Sequence, residues 1–165
     1  KPVVPMPDLS LRTAERTPNV IRAVLQNEGT AATRAPEWEF RWLGADDKVL
    51  GTSSRTTYSI AWPAPKQAKP FEIPYAQGRE DAVNRFLKNP PVGAQMLEIV
   101  LDPANQIAET REDNNTFRIK LNYPDLAFGT IAVREGTLNI AVKNQGTIPA
   151  APTDIWLQWW SILIL

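Results

Sequence analysis

The acidic segment from residue 102 to residue 115 has residue types that could bind a metal ion. Its carboxylate and amide side chains are oxygen ligands, and calcium takes about six to eight of these. The candidate ligands are Asp102, Asn105, Glu109, Glu112 and Asp113. The spacing is not that of an EF-hand, and the same residue types cap turns and accept hydrogen bonds from backbone amides. The segment therefore predicts either a calcium site or a hydrogen-bonded connection between strands.

Aromatic residues in and beside a proline-rich segment form a second candidate site. Tyr58, Trp62, Phe71 and Tyr75 lie in or near the segment that contains Trp62-Pro63-Ala64-Pro65 and Lys69-Pro70. Aromatic faces stack on sugars, and loops that a rigid scaffold displays often carry binding residues. We therefore predict that these four residues form a surface for a protein partner or a glycan.

The composition excludes several classes of function. The chain has no cysteine and no histidine. Disulfides, cysteine nucleophiles, Ser-His-Asp triads and the usual zinc sites are therefore excluded. The adjacent acids Asp46-Asp47 and Glu80-Asp81 are typical of solvated turns rather than of two carboxylates opposed across a cleft. We expect no enzyme activity, no catalytic residue and no cofactor other than the candidate calcium ion.

The formal net charge of the chain is zero. A neutral chain has no basic field to attract phosphate backbones, so we expect no nucleic-acid partner. The longest apolar stretch is the one at residues 154–165, and no stretch approaches the ~20 residues that a membrane-spanning helix needs.

The chain contains an internal repeat with a spacing of 117 residues. Pro7-Asp8-Leu9 recurs as Pro124-Asp125-Leu126, and Asn27-Glu28-Gly29-Thr30 recurs as Asn144-Gln145-Gly146-Thr147. Trp42 falls on Trp159 in the same register. Three matches at one spacing predict a complete module over residues 6–122 and the N-terminal part of a second module over residues 123–165.

Hydrophobic alternation around these motifs predicts β-strands. Ile21, Ala23 and Leu25 alternate with polar neighbours, and so do Trp38, Phe40 and Trp42. A period of two with β-branched and aromatic residues is typical of half-buried strands. We expect the tryptophans at positions 42 and 159 to lie in the core. We also expect the Asn-x-Gly-Thr connection to use the positive φ angles that asparagine and glycine tolerate.

Further strands and one helix complete the predicted first module. One or two short strands are expected over residues 48–58, an extended loop over residues 61–74, a helix over residues 80–88, and strands over residues 96–101 and 117–121. This adds up to an all-β, immunoglobulin-like β-sandwich with a long inserted loop and short helix at about residues 52–92.

The motifs together resemble the bacterial cell-adhesion-related domain family, also called CARDB-like. The resemblance rests on the Pro-Asp-Leu start, on the Asn-x-Gly-Thr that ends a strand, and on Asp102-Pro103-Ala104-Asn105 with Glu109-Thr110-Arg111-Glu112-Asp113-Asn114-Asn115. It covers the first module and the opening of the second, and it departs over residues 52–92. The resemblance implies tandem immunoglobulin-like domains on secreted or bacterial surface proteins, with no catalytic residue.

These observations lead us to expect a non-catalytic structural or adhesion module of a repetitive extracellular protein. The 117-residue repeat, the proline-stiffened junction Asn122-Tyr123-Pro124 and the incomplete second copy suggest a subunit of a fibre or larger assembly. Other modules or subunits would then bind through strand edges. The alternative is a carbohydrate-binding accessory module of a secreted enzyme.

The stretch Trp156 to Leu165 leaves three interpretations open: a core strand, a strand that pairs with a neighbouring subunit, or the beginning of a membrane helix. The first residue is Lys1 and no signal-peptide pattern follows, so the sequence is expected to be part of a longer chain.

Overall fold

The computed structural model describes residues 4–17, 19–75, 81–123 and 126–144. It divides the chain into two compact units, Lys1–Leu121 and Asn122–Leu165. The division falls next to the boundary that the repeat places between residues 122 and 123.

The first unit contains eight strands and one short helix among the described residues. They are β1 (Leu9–Arg16), β2 (Val20–Asn27), β3 (Glu37–Leu43), β4 (Val49–Thr52), β5 (Thr56–Thr57), β6 (Gln67–Pro74), α1 (Ala82–Lys88), β7 (Met96–Leu101) and β8 (Thr116–Lys120). One turn of 3₁₀ helix, Ala45–Asp47, lies between β3 and β4.

These strands form two antiparallel sheets. One has the order β1-β2-β6, and the other has the order β4-β3-β7-β8 with β5 also paired to β3. Apolar side chains from both sheets join in one buried cluster, so the sheets pack face to face as a sandwich. The prediction of an all-β sandwich is confirmed, whereas the immunoglobulin-like assignment stays a prediction.

The core follows from the alternation in β3. Trp38, Phe40 and Trp42 are fully buried. The residues that alternate with them, Glu37, Glu39 and Arg41, are charged. Across the sheet, Trp42 pairs with Leu97 of β7, which pairs with Ile119 of β8. Rows of this kind bury the inner face continuously from strand to strand.

The expectation of an extended loop over residues 61–74 is wrong in its second half, because β6 begins at Gln67. Proline is unfavourable inside a sheet because it lacks the N–H that a ladder hydrogen bond needs. Among the described strands, β6 lies at the edge of its sheet and pairs with β2. In this pairing, Pro70 lies opposite Val24 and Pro74 lies opposite Val20. An edge strand tolerates proline because the missing N–H faces away from the ladder.

The predicted helix is present as α1. Asp81 caps it by accepting a hydrogen bond from the Asn84 amide at 2.8 Å, which satisfies one of the amides that a helix start leaves without a partner. Val83 and Leu87 are buried. The Phe86 ring stacks on Trp42, and the Phe86 carbonyl accepts a hydrogen bond from the Trp42 indole at 3.1 Å. The helix therefore closes the sandwich over Trp42.

The described part of the second unit is one hairpin, β9 (Leu126–Arg134) and β10 (Thr137–Asn144). Its pairing reproduces that of β1 and β2 with an offset of 117 residues. Leu126 faces Asn144 as Leu9 faces Asn27, and Val133 faces Leu138 as Arg16 faces Ile21. Both hairpins also shift register at the same point, after Leu11 in β1 and at its counterpart in β9.

Candidate functional site

The three sequence motifs of the first module meet at one place in the fold. We call the group of Asp8, Asn27, Gly29, Glu109 and Asn115 the motif cluster. All five are buried. They come from the residue before β1, from the end of β2 and the connection after it, and from the connection before β8, so segments about 100 positions apart are in direct contact.

Asn27 is the centre of this cluster and is fully buried. Its side-chain oxygen accepts hydrogen bonds from the Asp8 amide at 3.1 Å and the Gly29 amide at 3.0 Å. Its side-chain nitrogen donates to the carbonyls of Ala31 at 3.0 Å and Pro63 at 3.3 Å. One side chain thus satisfies four backbone groups that the irregular connection leaves without ladder partners.

A glycine is required at position 29 because the backbone of residues 6–8 approaches it closely. The expectation of positive φ angles at Asn27 and Gly29 is wrong. Neither residue is among those of the described chain with positive φ. A Cβ atom at position 29 would lie 2.6 Å from the Asp8 amide nitrogen and would also overlap the Met6 carbonyl oxygen. The backbone of residues 6–8 packs directly on this glycine, so any side chain would force the segment away.

Glu109 joins the late acidic segment to β1. One of its oxygens accepts a hydrogen bond from the Leu9 amide, and the other accepts one from the Asn115 side chain at 3.0 Å. Burial disfavours the charged carboxylate and raises the pKa of Glu109 to about 7, although these two hydrogen bonds act in the opposite direction. Glu109 therefore titrates near neutral pH as a structural residue.

The remaining candidate calcium ligands are not brought together as a ligand set. Asp102 accepts a hydrogen bond from the Ile107 amide at 2.7 Å, and Glu112 accepts one from the Glu109 amide at 2.9 Å. Asp113 pairs with Arg111 at 3.1 Å, and the Asn105 amide donates to the Asp102 carbonyl at 2.9 Å.

Within residues 4–17, 19–75, 81–123 and 126–144, no group of three acidic side chains is placed to hold a metal ion. In this arrangement the carboxylates accept hydrogen bonds from backbone amides or pair with an arginine, and the calcium site stays a prediction.

The four aromatic residues predicted as a binding surface lie in or against the core. Tyr58, Trp62 and Phe71 are half-buried, and their ring centroids lie 5.4, 5.8 and 5.6 Å from that of Trp38. Tyr75 is only 3% exposed. These ring contacts are core packing, which leaves part of Tyr58, Trp62 and Phe71 accessible to solvent.

An open pocket lies beside this aromatic group. It is lined by residues 56–60, by part of β6 and by the beginning of α1, and its volume is about 390 Å³. The sequence pointed to the aromatic residues of this region but not to the hydroxyl and carboxylate residues that share the pocket. Those residues come from three separate segments of the chain, and their side-chain types alone do not indicate a binding site.

The outward face of the five-stranded sheet carries a row of ion pairs that sequence reasoning did not identify. Glu98 bridges Arg41 at 3.3 Å and Arg118 at 3.0 Å, and Arg118 continues to Asp47 at 2.7 Å. These hydrogen bonds raise the pKa of Arg118. The row satisfies the carboxylate of Glu98, which is largely buried beneath the arginines. This face of the sheet is therefore organised by charge pairing.

The second hairpin exposes the face whose counterpart is covered in the first unit. Phe128 is 64% exposed, whereas its counterpart Leu11 is 8% exposed. Leu126 and Val142 are also exposed, and their counterparts Leu9 and Leu25 are fully buried. In the first unit the five-stranded sheet covers this face. The described residues of the second unit include no second sheet.

Two sequence predictions lie outside the described residues, namely the core position of Trp159 and the three interpretations of the stretch from Trp156 to Leu165. Trp42, the counterpart of Trp159, is fully buried. In the part of the chain that the structure describes, no helix is long and apolar enough to cross a membrane.

Comparisons of the chain with protein-family models, with curated proteins and with solved structures found no match.

Proposed function

We propose that this chain is a non-catalytic structural or adhesion module of a repetitive extracellular protein, of the CARDB-like type. The observation that carries the proposal is the second hairpin, which repeats the register of the first hairpin and its register shift 117 residues later. The same hairpin built twice at a fixed spacing supports a tandem arrangement of modules.

The way the polar residues are used supports a structural role. The candidate calcium ligands Asp102, Glu109 and Glu112 bind backbone amides. Asn27 ties together three segments of the first unit. Buried polar groups that hold connections in place make a module rigid, and rigidity is what a spacer in an extended surface protein needs.

The exposed apolar face of the second hairpin supports assembly from further sheets of the same kind. In the first unit, the equivalent positions Leu9, Leu11 and Leu25 are covered by the five-stranded sheet. The hairpin formed by the described residues of the second unit would by itself be at best marginally stable in water. We propose that neighbouring modules or subunits contribute to the structure that covers it.

The test uses the natural protein from its source. We expect antibodies against residues 4–122 to label intact cells, and electron microscopy of undigested protein to show extended particles. Light scattering should give a mass well above that of this chain, since the proposal requires further modules. Labelling only after the cells are permeabilised would contradict the extracellular location. A compact particle with one module joined to a catalytic domain would contradict the array.

A further inference from the structure

The pocket beside the aromatic group has the size and wall chemistry of a small-ligand site. It opens between residues 56–60, β6 and the beginning of α1, with a volume of about 390 Å³. Small-molecule sites occupy roughly 300–1,000 Å³ and combine apolar walls with a few polar groups that orient the ligand. The pocket belongs to the inserted middle region of the module, which is not part of the repeat motifs.

The lining combines aromatic residues with hydroxyl-bearing residues. Tyr58 and Phe71 belong to it, and their ring centroids lie 5.6 Å apart. Thr56, Thr57 and Ser59 belong to it as well, from the segment that also contains Tyr58. A hydroxyl both donates and accepts hydrogen bonds, so this lining suits a ligand that carries hydroxyl groups of its own.

The charged groups of the pocket argue against an anionic ligand. Among the residues that the structure describes, the charged ones that line it are Glu72 and Asp81. Glu72 already pairs with Arg22 at 2.9 Å, and Asp81 already binds the amide and the side chain of Asn84 at 2.8 and 3.0 Å. A phosphate or carboxylate would meet like charge here, whereas a neutral ligand can accept the geometry as it stands.

We propose that this pocket binds a neutral sugar ring, such as the terminal pyranose of a glycan. A pyranose has an apolar C–H face and a rim of hydroxyl groups, which match the aromatic and the hydroxyl-bearing residues of the lining. The proposal goes beyond the structural role, because an array of spacers needs no ligand. It also places recognition in a pocket walled by parts of Tyr58 and Phe71, rather than on the stacked faces of the four aromatic residues.

The test is isothermal titration of the full chain with four neutral disaccharides: cellobiose, maltose, lactose and diacetylchitobiose. We expect at least one of them to bind with a dissociation constant below about 10 mM. Ser59→Phe fills the pocket from an exposed position and should weaken that binding at least about tenfold. Ser54→Phe changes another exposed serine outside the pocket lining and should leave binding unchanged.

A second variant tests the hydroxyl-bearing residues of the lining without filling the pocket. Thr57→Val keeps the shape of an exposed strand residue and removes its hydroxyl, so we expect a loss of a fewfold up to about tenfold in affinity. Unchanged circular dichroism spectra show that each variant is folded. Three results would overturn the proposal: no binding of any of the four sugars, equal binding by the Ser59→Phe variant, or binding of the polyamine spermidine in their place. None of them bears on the tandem array.

Discussion

Asn27 shows how much of this fold depends on a single side chain. It makes hydrogen bonds to four backbone groups of three separate segments and is fully buried. We expect Asn27→Ala to lower the free energy of unfolding by about 2–4 kcal/mol, because the buried backbone groups lose their partners. Urea denaturation followed by tryptophan fluorescence measures this. Gln26→Ala, on the neighbouring partly exposed residue, should change stability by less than about 0.5 kcal/mol. Equal losses in the two variants would contradict the role of Asn27.

Glu109 should make stability depend on pH. Burial raises its pKa from 4.5 to about 7 in the folded state. The folded state therefore holds the proton more tightly than the unfolded state, and stability falls as the pH rises from about 4.5 to about 7. The loss is on the order of 3 kcal/mol if the unfolded pKa is the ordinary one.

Glu109→Gln tests this linkage, because an amide does not titrate. We expect the variant to be more stable than the natural chain at pH 8, with the difference disappearing toward pH 4.5. Urea denaturation at pH 4.5, 6 and 8 measures both. Asp113→Asn is the matched control, since Asp113 is exposed. An equal pH slope in the natural chain and in Glu109→Gln would show that Glu109 is not the titrating group.

At the scale of elements, Arg16 attaches helix α1 to the sandwich. It lies at the end of β1, donates a hydrogen bond to the Leu87 carbonyl at 3.0 Å, and lies 5.5 Å from the Trp42 ring and 5.3 Å from the Tyr75 ring. Arg16→Met keeps the apolar packing but removes the charge and the hydrogen bond. We expect a loss of roughly 1–3 kcal/mol and faster hydrogen exchange in α1.

Arg12→Met is the control for this variant, because Arg12 is an exposed arginine on the same strand. It should leave the exchange of α1 unchanged. If Arg16→Met left that exchange unchanged too, the helix would be held by Val83, Phe86 and Leu87 alone. The counterpart of Arg16 in the second unit is Val133, so this attachment is specific to the first unit.

At the scale of the whole molecule, the first unit has the contents of a self-sufficient domain. Its buried apolar cluster extends from Leu9 to Leu121 and draws on both sheets. We expect residues 4–122 to fold alone, with amide exchange rates in β3 and β7 matching those in the full chain. The stability of the two chains should agree within about 0.5 kcal/mol. Loss of protection in β3 when residues 123–165 are removed would contradict this independence.

The sequence by itself determined the strand pattern and the repeat. Alternating apolar residues predicted the buried face of β3, and the 117-residue spacing predicted the opening of a second module after residue 122. These features are readable because side-chain direction in a strand has a period of two, and because identical local patterns pair alike. The helix α1 was also predictable, because its apolar positions and the prolines that follow it, Pro90 and Pro91, are local features of the sequence.

Only the tertiary structure decided what the motif residues touch. Glu109 meets Leu9 across 100 positions, and Gly29 packs on the backbone of Met6. Spacing could not separate calcium ligands from backbone acceptors, because both uses need the same oxygens. Nor could it show that Tyr75 is buried or that hydroxyl groups line a pocket. Contacts between distant segments, and the removal of water that accompanies them, arise only when the two sheets pack together.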